Sequence, residues 1–300
     1  DYAAASAMSG LLMSMYPDSR HIIGGPHATV FGGKLVQEDG WDSAFVGESE
    51  ISILDFIDEA ADPVDGSARA GRIDVTKLPW PDREALDWVG GRVLTDRSQT
   101  SSINLMAARG CPYDCHFCAS KTIWGRKVRW RTVGEVVDEI KAAMAKWGTM
   151  VFRFSDDNMT TSRRWTTEFC RLVKPLNIKW RLSVRVDTPP DLLEMMAEAG
   201  CTELGLGIES FDPAVLKVLD KRITPEQSLR TIEHAHNAGI GPRLLLMIST
   251  PGEAYRRTVD LNVEALESVK GKFVYASAKT FIPLPGTAIW NDPVGHDITI

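Results

Sequence analysis

The sequence predicts an α/β protein, a partial (β/α)6 barrel of the TIM type preceded by the C-terminal half of a Rossmann-like, doubly wound domain. Three observations lead to this prediction. From residue 103 onward, short apolar segments alternate with helical patterns about six times, which calls for a parallel sheet covered by helices. Before residue 63, two short apolar segments each run into a glycine-containing turn and a helical pattern. The composition is 44% hydrophobic and 25% charged, as in ordinary globular proteins.

Residues 1–62 have the pattern of one part of a doubly wound domain. Their apolar segments, 20–23 and 41–46, are predicted strands, and each is followed by a turn that contains glycine. Two strands are too few for a stable sheet, and the chain begins with Asp1 rather than Met. We therefore expect the back half of such a domain, with its front half missing. The predicted helices of this part are residues 3–16, 31–37 and 51–61.

Residues 63–102 are predicted to form a linker, because Pro and Gly interrupt a polar stretch there. Residues 103–300 are predicted to form the barrel core. Its apolar segments fit strands, and the segments between them fit amphipathic helices, two of which end at a glycine. The predicted strands are residues 103–108, 150–154, 179–184, 203–208, 243–248 and 273–280. The predicted helices are residues 133–144, 163–173, 189–199, 225–238 and 254–268.

Charge and cysteine usage limit the classes of partner. A net charge of −6 argues against general nucleic-acid binding, although a basic stretch at residues 121–131 fits either a solvated loop or a contact for an anionic partner. No run approaches the roughly 18 apolar residues of a membrane span, and no secretory signal is visible. Five cysteines, three of them within eight residues, suit a reducing compartment better than a disulfide framework. We expect a cytoplasmic protein.

The strongest chemical signal is a Cys-x3-Cys-x2-Cys loop formed by Cys111, Cys115 and Cys118, directly after the first predicted barrel strand. Thiolates are soft ligands that suit iron–sulfur clusters or zinc. Since no fourth cysteine is nearby, a four-iron cluster held here would keep one iron open for a substrate or cofactor. A zinc site that includes His116 is the alternative, but adjacent ligands would point apart. The two remaining cysteines of the chain are expected in the core.

Polar residues and glycines follow the other predicted strands, at the rim where such barrels build their active sites. After the second to fifth strands stand, in order, Asp156-Asp157-Asn158, Arg185, Glu209-Ser210 and Gly252. These residues are candidates for binding a ligand. The alternative assignments are structural: a helix cap for Asp156, a surface ion pair for Arg185, and a tight turn for Gly252.

The loop Gly110-Cys111-Pro112-Tyr113-Asp114-Cys115-His116-Phe117-Cys118 resembles the signature loop of radical S-adenosylmethionine (SAM) enzymes. The resemblance implies a (β/α)6 partial barrel in which the three cysteines hold a [4Fe–4S] cluster. It also implies that the amino and carboxylate groups of SAM bind the open iron. Reduction by a donor such as flavodoxin or ferredoxin then cleaves SAM to methionine and a 5′-deoxyadenosyl radical. Some members also use SAM as a methyl donor.

The same resemblance assigns roles to the residues at the rim. Phe117, the aromatic residue before the last cysteine, is expected near the adenine of SAM. The segment Asp156-Asp157-Asn158 would meet the SAM amino group, although it lacks the glycines common in the family. The remaining assignments are Arg185 to the SAM carboxylate, Glu209 and Ser210 to the ribose or amine, and Gly252 to the neighbourhood of the adenine.

Residues 22–29 and 45–50 resemble the cobalamin-binding domain that precedes many radical SAM barrels. The resemblance implies that cobalamin lies at the carboxyl edge of the sheet. His27 is expected near the tail of the cofactor or in a turn, rather than on cobalt. We expect residues 1–300 alone to bind cobalamin weakly or not at all. The residues implied in cobalamin binding are Gly24, Gly25, His27, Gly47 and Glu48.

These features together predict a cobalamin-dependent radical SAM enzyme that methylates or rearranges an unactivated carbon of a small molecule. One alternative is a methylthiotransferase that acts on tRNA or protein. That group needs an N-terminal domain with three further cluster cysteines, and residues 1–102 contain none. The other alternative is a non-catalytic iron–sulfur protein, which predicts a fourth protein ligand and no affinity for SAM.

Overall fold

The computed structural model describes residues 2–58, 67–69, 71–84, 102–296 and 298. The rest of the predicted linker, and the last residues of the helix predicted to reach residue 61, lie outside the described residues. Within the described part of the chain, no helix is long and apolar enough to cross a membrane.

The N-terminal part forms a three-stranded parallel sheet with helices between its strands. Its elements are α1 (Tyr2–Met15), β1 (Ile22–Ile23), α2 (Pro26–Phe31), α3 (Gly33–Asp39), β2 (Ser43–Val46), α4 (Ser52–Ile57) and β3 (Ser67–Arg69). The strand order is β1-β2-β3. The expectation of two strands was wrong, because β3 pairs with β2 from within the predicted linker. Two helices replace the single one expected at 31–37, since Gly32, with φ of 49°, separates them.

The C-terminal part contains the predicted alternation of strands and helices. Its elements are β4 (Ile103–Leu105), β5 (Ala108–Arg109), α5 (Ser120–Ile123), β6 (Arg129–Trp130), α6 (Val133–Trp147), β7 (Val151–Phe154), α7 (Arg163–Val173), β8 (Lys179–Arg185), α8 (Pro190–Glu198), β9 (Cys201–Glu209), α9 (Pro213–Val218), α10 (Pro225–Asn237), β10 (Gly241–Ile248), α11 (Tyr255–Ser268), β11 (Tyr275–Thr280) and α12 (Ala288–Asn291). The short helix α9 was not predicted.

Six parallel strands of this part form one sheet in the order β4-β7-β8-β9-β10-β11. Each strand lies next to its successor in the alternation, as in a partial (β/α)6 barrel. Aromatic side chains fill the contact between sheet and helices: Phe169 of α7 meets Phe154 and Trp180 edge to face, with ring centroids 5.2 Å apart in both pairs. The parallel order places the carboxyl ends of all six strands at one rim.

The first barrel strand is shorter than predicted, because the chain leaves the sheet after Leu105. Asp156, just past the neighbouring strand β7, accepts hydrogen bonds from the backbone N–H groups of Ala107 (3.0 Å) and Ala108 (2.6 Å). These two amides are satisfied without extending the ladder with β7. Residues 108–109 instead pair antiparallel with β6. This change of chain direction places the cysteine loop at the rim.

A buried carboxylate, Glu48, joins the N-terminal sheet to the barrel. Its side chain is 2% exposed and lies at the carboxyl end of β2. Arg109 Nη1 donates to its Oε2 (3.0 Å), and Arg129 Nη1 donates to the same oxygen (2.7 Å). Burial alone would raise the pKa of Glu48, but the hydrogen bonds from Arg129 and Arg109 outweigh it and lower the pKa below its ordinary value. Both arginines flank the cysteine loop, so this junction sets the N-terminal sheet beside the rim.

Candidate active site

The cysteine loop closes against the segment that follows it. Gly110, which begins the loop, has φ of 106°, and a Cβ atom there would lie 2.7 Å from the carbonyl oxygen of Lys127. The backbone N–H of Cys111 donates to the carbonyl oxygen of Gly125 (3.3 Å). Glycine at position 110 therefore allows the close backbone approach that fixes the start of the loop.

All three cysteines of the loop are partly exposed and free of disulfide bonds. Burial raises the pKa of the Cys111 and Cys118 thiols above the ordinary value. Metal ligation needs thiolates, so cluster binding must release protons from these thiols. The other two cysteines, Cys170 and Cys201, are buried in the core as expected, and burial raises the pKa of Cys170 to about 12.

Arg185 lies against the loop as a buried cation, rather than in the surface ion pair considered as an alternative. Its side chain is 8% exposed, and Nη1 lies 3.5 Å from Sγ of Cys115. Nη2 donates to the carbonyl oxygen of Lys221 (2.6 Å), and Nε donates to Oδ2 of Asp187 (3.2 Å). The guanidinium carbon lies 3.9 Å from the ring centroid of Tyr113. Arg185 therefore places a fixed positive charge directly beside one sulfur of the cysteine loop.

The segment after β7 contains two buried side chains with internal hydrogen bonds and one exposed side chain. Asp156 binds the backbone amides described above, and burial raises its pKa to about 7. Asn158 Oδ1 accepts from the N–H (3.2 Å) and the hydroxyl (2.8 Å) of Thr160, so Asn158, not Asp156, caps the short 3-10 helix Met159–Thr161. Asp157 is exposed, and its charge adds to burial in raising the pKa of Cys111. Of the three, Asp157 is the residue with an exposed side chain, and a ligand contact of Asp157 stays a prediction.

Glu209 and Ser210 both lie buried at the end of β9, with different contacts. Glu209 Oε1 accepts from Lys221 Nζ (2.7 Å). Ser210 Oγ accepts from the backbone N–H of Asp212 (3.1 Å) and lies 3.4 Å from Oδ1 of Asn262. Ser210 therefore fixes the turn into α9, whereas Glu209 is part of a buried ion pair. No sequence pattern singled out Lys221, which follows α9.

Phe117 and Gly252 both border α9. Phe117 is partly buried against Val215 and Leu219. Gly252 has φ of 81°, and a Cβ atom there would lie 2.8 Å from Cγ2 of Val218. Gly252 thus meets the demands of both the turn and the packing against α9. Placement of these two residues near an adenine stays a prediction.

The alternative zinc site does not match the direction of the His116 ring. Its Nδ1 lies 3.2 Å from the carbonyl oxygen of Val218 and 3.1 Å from Nε2 of His296, which places this edge of the ring against α9 and the C-terminal segment. Among the residues that the structure describes, no three His, Cys, Asp or Glu side chains are grouped as for a single metal ion.

Some of the residues expected to bind cobalamin are exposed to a ligand, and others are engaged in contacts within the protein. Gly25 (φ 87°) and Gly47 (φ 85°) adopt conformations that favour glycine, and open space surrounds the position of a Cβ at Gly25. Gly24 is also exposed. His27, however, stacks on Tyr2 with ring centroids 4.1 Å apart. These glycines fit a ligand that closely approaches the backbone, while the contacts of His27 favour the turn interpretation.

Glu48 differs from these glycines in its internal contacts, and a contact with cobalamin stays a prediction. It was expected to contact cobalamin, but its carboxylate is occupied by Arg109 and Arg129. It forms one wall of a cavity of about 240 Å³ whose other lining residues include Thr29, Gly47 and Arg72. The structure therefore places Glu48 in the junction between the two parts of the chain.

The basic stretch at residues 121–131 is mostly used within the protein. Arg129 binds Glu48, and Arg131 Nη1 donates to Oε2 of Glu139 (2.6 Å). Lys121 and Arg126 form ion pairs with Asp114 of the cysteine loop, at 2.8 Å and 3.1 Å. Lys121 and Arg126 thus support the cysteine loop, whereas Arg129 and Arg131 bind buried carboxylates outside it.

The geometry at the rim agrees with a comparison to known protein families. The sequence model of the radical SAM superfamily matches residues 106–261, slightly more than half of the chain. The chain belongs to the radical SAM superfamily. Radical SAM enzymes use a [4Fe–4S] cluster and SAM, and three free thiols beside a buried guanidinium suit that cluster.

Curated relatives of this superfamily member include methyltransferases and a cyclase. An uncharacterized methyltransferase of Pyrococcus horikoshii is 29% identical over 199 residues, which cover 65% of this chain and 43% of the relative. Cytidylyl-2-hydroxyethylphosphonate methyltransferase of Streptomyces wedmorensis is 30% identical over 183 residues, or 59% and 33% of the two chains. Anaerobic magnesium-protoporphyrin IX monomethyl ester cyclase of Rubrivivax gelatinosus is 29% identical over 250 residues, or 75% and 44%. The chain thus spans less than half the length of these relatives.

Solved structures share the fold of both parts of the chain. The radical SAM methyltransferase TsrM from Kitasatospora setae, with cobalamin and a [4Fe–4S] cluster bound, has a TM-score of 0.71 at 17% identity and covers 91% of this chain and 59% of its own. The cobalamin-dependent radical SAM enzyme OxsB, with aqua-cobalamin bound, has a TM-score of 0.71 at 18% identity, covering 88% and 42%. This likeness confirms the predicted fold class of a radical SAM partial barrel preceded by a Rossmann-like unit.

The position of Asp156 predicts a pH-dependent stability. The pKa of Asp156 in the folded protein, about 7, lies above that of an unfolded aspartate. The neutral carboxyl therefore contributes its full stabilisation of the fold at low pH, and this stabilisation is lost as the pH rises through about 7. Asp156→Asn stays neutral throughout. We expect the Tm of this variant, relative to wild type, to rise between about pH 5 and 8. The rise should be roughly 2–4 °C for each kcal/mol of unfolding free energy that wild type loses over this range.

Thermal unfolding at several pH values tests this expectation for Asp156. Asp191→Asn is the control, because Asp191 is an exposed residue paired with Arg163, whose hydrogen bond lowers the pKa of Asp191. A constant difference in Tm between Asp156→Asn and wild type across this range would contradict the ionisation of the buried Asp156 carboxyl at these pH values.

Proposed function

We propose that this chain binds SAM and cobalamin and serves a radical methyltransferase that acts on an unactivated carbon of a small molecule. The observation that carries the proposal is the junction at Glu48. Its hydrogen bonds to Arg109 and Arg129 hold the carboxyl edge of a parallel sheet beside the cysteine loop. Ligands bind at such edges in doubly wound sheets, so a ligand there would lie close to the rim of the barrel.

The residues at the rim support SAM as the shared ligand. Three thiols are available for the cluster, whose reduced form supplies the electron that cleaves SAM. Arg185 offers a buried positive charge for a carboxylate, and exposed Asp157 offers a negative charge for an ammonium group. Glu209 presents a carboxylate oxygen at the end of β9. These groups bind and orient the two charged ends of the amino-acid part of SAM and its ribose.

The relatives favour methyl transfer, with radical ring formation as the second candidate. Two of the three relatives described above are named methyltransferases, while the cyclase matches a larger share of this chain, 75%. In the methyltransferase, cobalamin would supply the methyl group after a hydrogen atom is removed from the substrate. An electron donor such as flavodoxin or ferredoxin, and a small-molecule substrate, are part of the proposal.

The test is SAM cleavage by the reconstituted protein. After anaerobic loading with iron and sulfide, and addition of dithionite and SAM, we expect 5′-deoxyadenosine in product analysis by mass spectrometry. The variant with alanine at all three loop cysteines is the control and should form none. If the cluster-loaded wild type neither binds nor consumes SAM, the enzyme proposal fails. That result would favour the alternative of a non-catalytic iron–sulfur protein.

Cobalamin binding has a separate test. We expect weak or no binding by residues 1–300 alone, and co-purification of a corrin with a longer natural form that has the length of the relatives. Absorption spectra of both proteins decide the matter. A longer form without corrin that still cleaves SAM would remove the methyl-transfer assignment and leave a radical SAM activity of another kind.

A further inference from the structure

Three left-handed backbone conformations surround one buried lysine at the rim. Glu209 has φ of 66°, Asp220 of 45° and Arg222 of 54°. Residues other than glycine adopt such angles rarely and keep them only where the surroundings hold them in place. Lys221 lies between two of these residues and binds the third, and its side chain is 7% exposed. Backbone strain is thus concentrated around Lys221.

Lys221 lies against Glu209 and Arg185, which the proposed function assigns to SAM, and near Phe117, which the family resemblance places near the adenine. Its Nζ lies 2.7 Å from Oε1 of Glu209 and 5.6 Å from the ring centroid of Phe117, within the range of a cation–π interaction. Its carbonyl oxygen accepts from Nη2 of Arg185 (2.6 Å). One residue outside every sequence motif therefore connects three separate parts of the rim.

The Lys221–Glu209 pair has room because position 207 is glycine. A Cβ atom at Gly207 would lie 3.0 Å from Oε1 of Glu209 and 3.1 Å from Nζ of Lys221. The second carboxylate oxygen of Glu209, Oε2, has no hydrogen-bond partner within the described part of the chain, and it is not among the fully buried polar atoms there. Oε1 is thus fixed by the lysine, while Oε2 remains open to a ligand.

We propose that Lys221 is a positioning residue of the SAM site. It fixes Oε1 of Glu209, so that Oε2 faces the rim and accepts a hydrogen bond from a ribose hydroxyl or the ammonium group of SAM. Its charge also balances the buried carboxylate of Glu209 before the ligand arrives. This inference rests on the proposed function, because it assumes that SAM binds at this rim.

The test measures SAM affinity and not turnover. Equilibrium dialysis with radiolabelled SAM gives the Kd for cluster-loaded, unreduced protein, and iron content and Tm are measured on the same samples. We expect Lys221→Met to raise the Kd at least tenfold with unchanged iron content, and Lys221→Arg, which keeps the charge, to stay within about threefold of wild type. Lys217→Met is the matched control, because Lys217 is an exposed lysine on α9, and should leave the Kd unchanged.

A double-mutant cycle separates positioning from simple packing. Since Lys221 is proposed to act through Glu209, the pair Glu209→Gln and Lys221→Met should bind SAM no more weakly than the weaker single variant. The positioning role would be overturned if the losses of SAM affinity in the two single variants multiply in the double variant. It would also be overturned if Lys221→Met and Lys221→Arg lose the same affinity. Wild-type affinity in Lys221→Met would also overturn it and leave the proposed function intact, whereas absence of SAM binding by wild type would remove both. If Lys221→Met unfolds, Lys221→Gln takes its place with the same expected loss.

Discussion

Replacing any one of Cys111, Cys115 and Cys118 with alanine is expected to abolish the stable [4Fe–4S] cluster. The three thiols lie on one loop at the rim, and the cluster has no other cysteine within that loop to replace a lost ligand. Anaerobically reconstituted wild type should contain about four irons and four sulfides per chain. Each single variant should lose most of this iron, together with the charge-transfer absorption of the cluster.

The control for this prediction comes from the same chain. Cys170→Ala and Cys201→Ala remove thiols that are buried in the core, and both variants should keep the iron content of wild type. Comparable iron loss from these two variants would mean that loss reflects general destabilisation. Full iron retention in the variant without any of the three loop cysteines would falsify the assignment of the cluster.

The cysteine loop could be identified from the sequence because its chemistry depends on residue type and short spacing. Cys111, Cys115 and Cys118 are close along the chain, and the strands that carry the rim have regular apolar patterns. The helices are also marked locally: α6 begins with a capping box formed by Thr132 and Glu135 and ends at Gly148. Such signals are local in the sequence. They are sufficient to predict the parallel sheet and the rim at which its strands end.

The contacts that the sequence did not predict join residues far apart in the chain. Asp156 reaches back 49 residues to Ala107, and Glu48 is bonded to Arg129, 81 residues away. A charged residue that follows a strand has the same local pattern whether it faces a ligand or a distant arginine. For that reason Asp156 and Glu48 were both expected to contact cofactors, although the structure places their carboxylates in internal hydrogen bonds.

Glu48→Gln is expected to destabilise the protein by about 3–5 kcal/mol, as when one partner of a buried ion pair is removed. The amide keeps the size of the side chain but loses the charge that balances Arg109 and Arg129. Those arginines would remain near the cysteine loop without their anionic partner. The hydrogen bonds from Arg129 and Arg109 lower the pKa of Glu48, so its contribution is present above its ordinary pKa and is lost as the pH falls through the lowered value.

Denaturant unfolding of Glu48→Gln, followed by tryptophan fluorescence at neutral and acidic pH, measures both effects. Glu50→Gln is the matched control, because Glu50 is 38% exposed and pairs with the same Arg109, so its loss should cost less than about 1 kcal/mol. The difference between Glu48→Gln and wild type should shrink in acid, where the wild-type carboxylate also becomes neutral. If Glu48→Gln is no more harmful than Glu50→Gln, the carboxylate does not hold the junction together, and its expected role as a cobalamin contact becomes the better explanation.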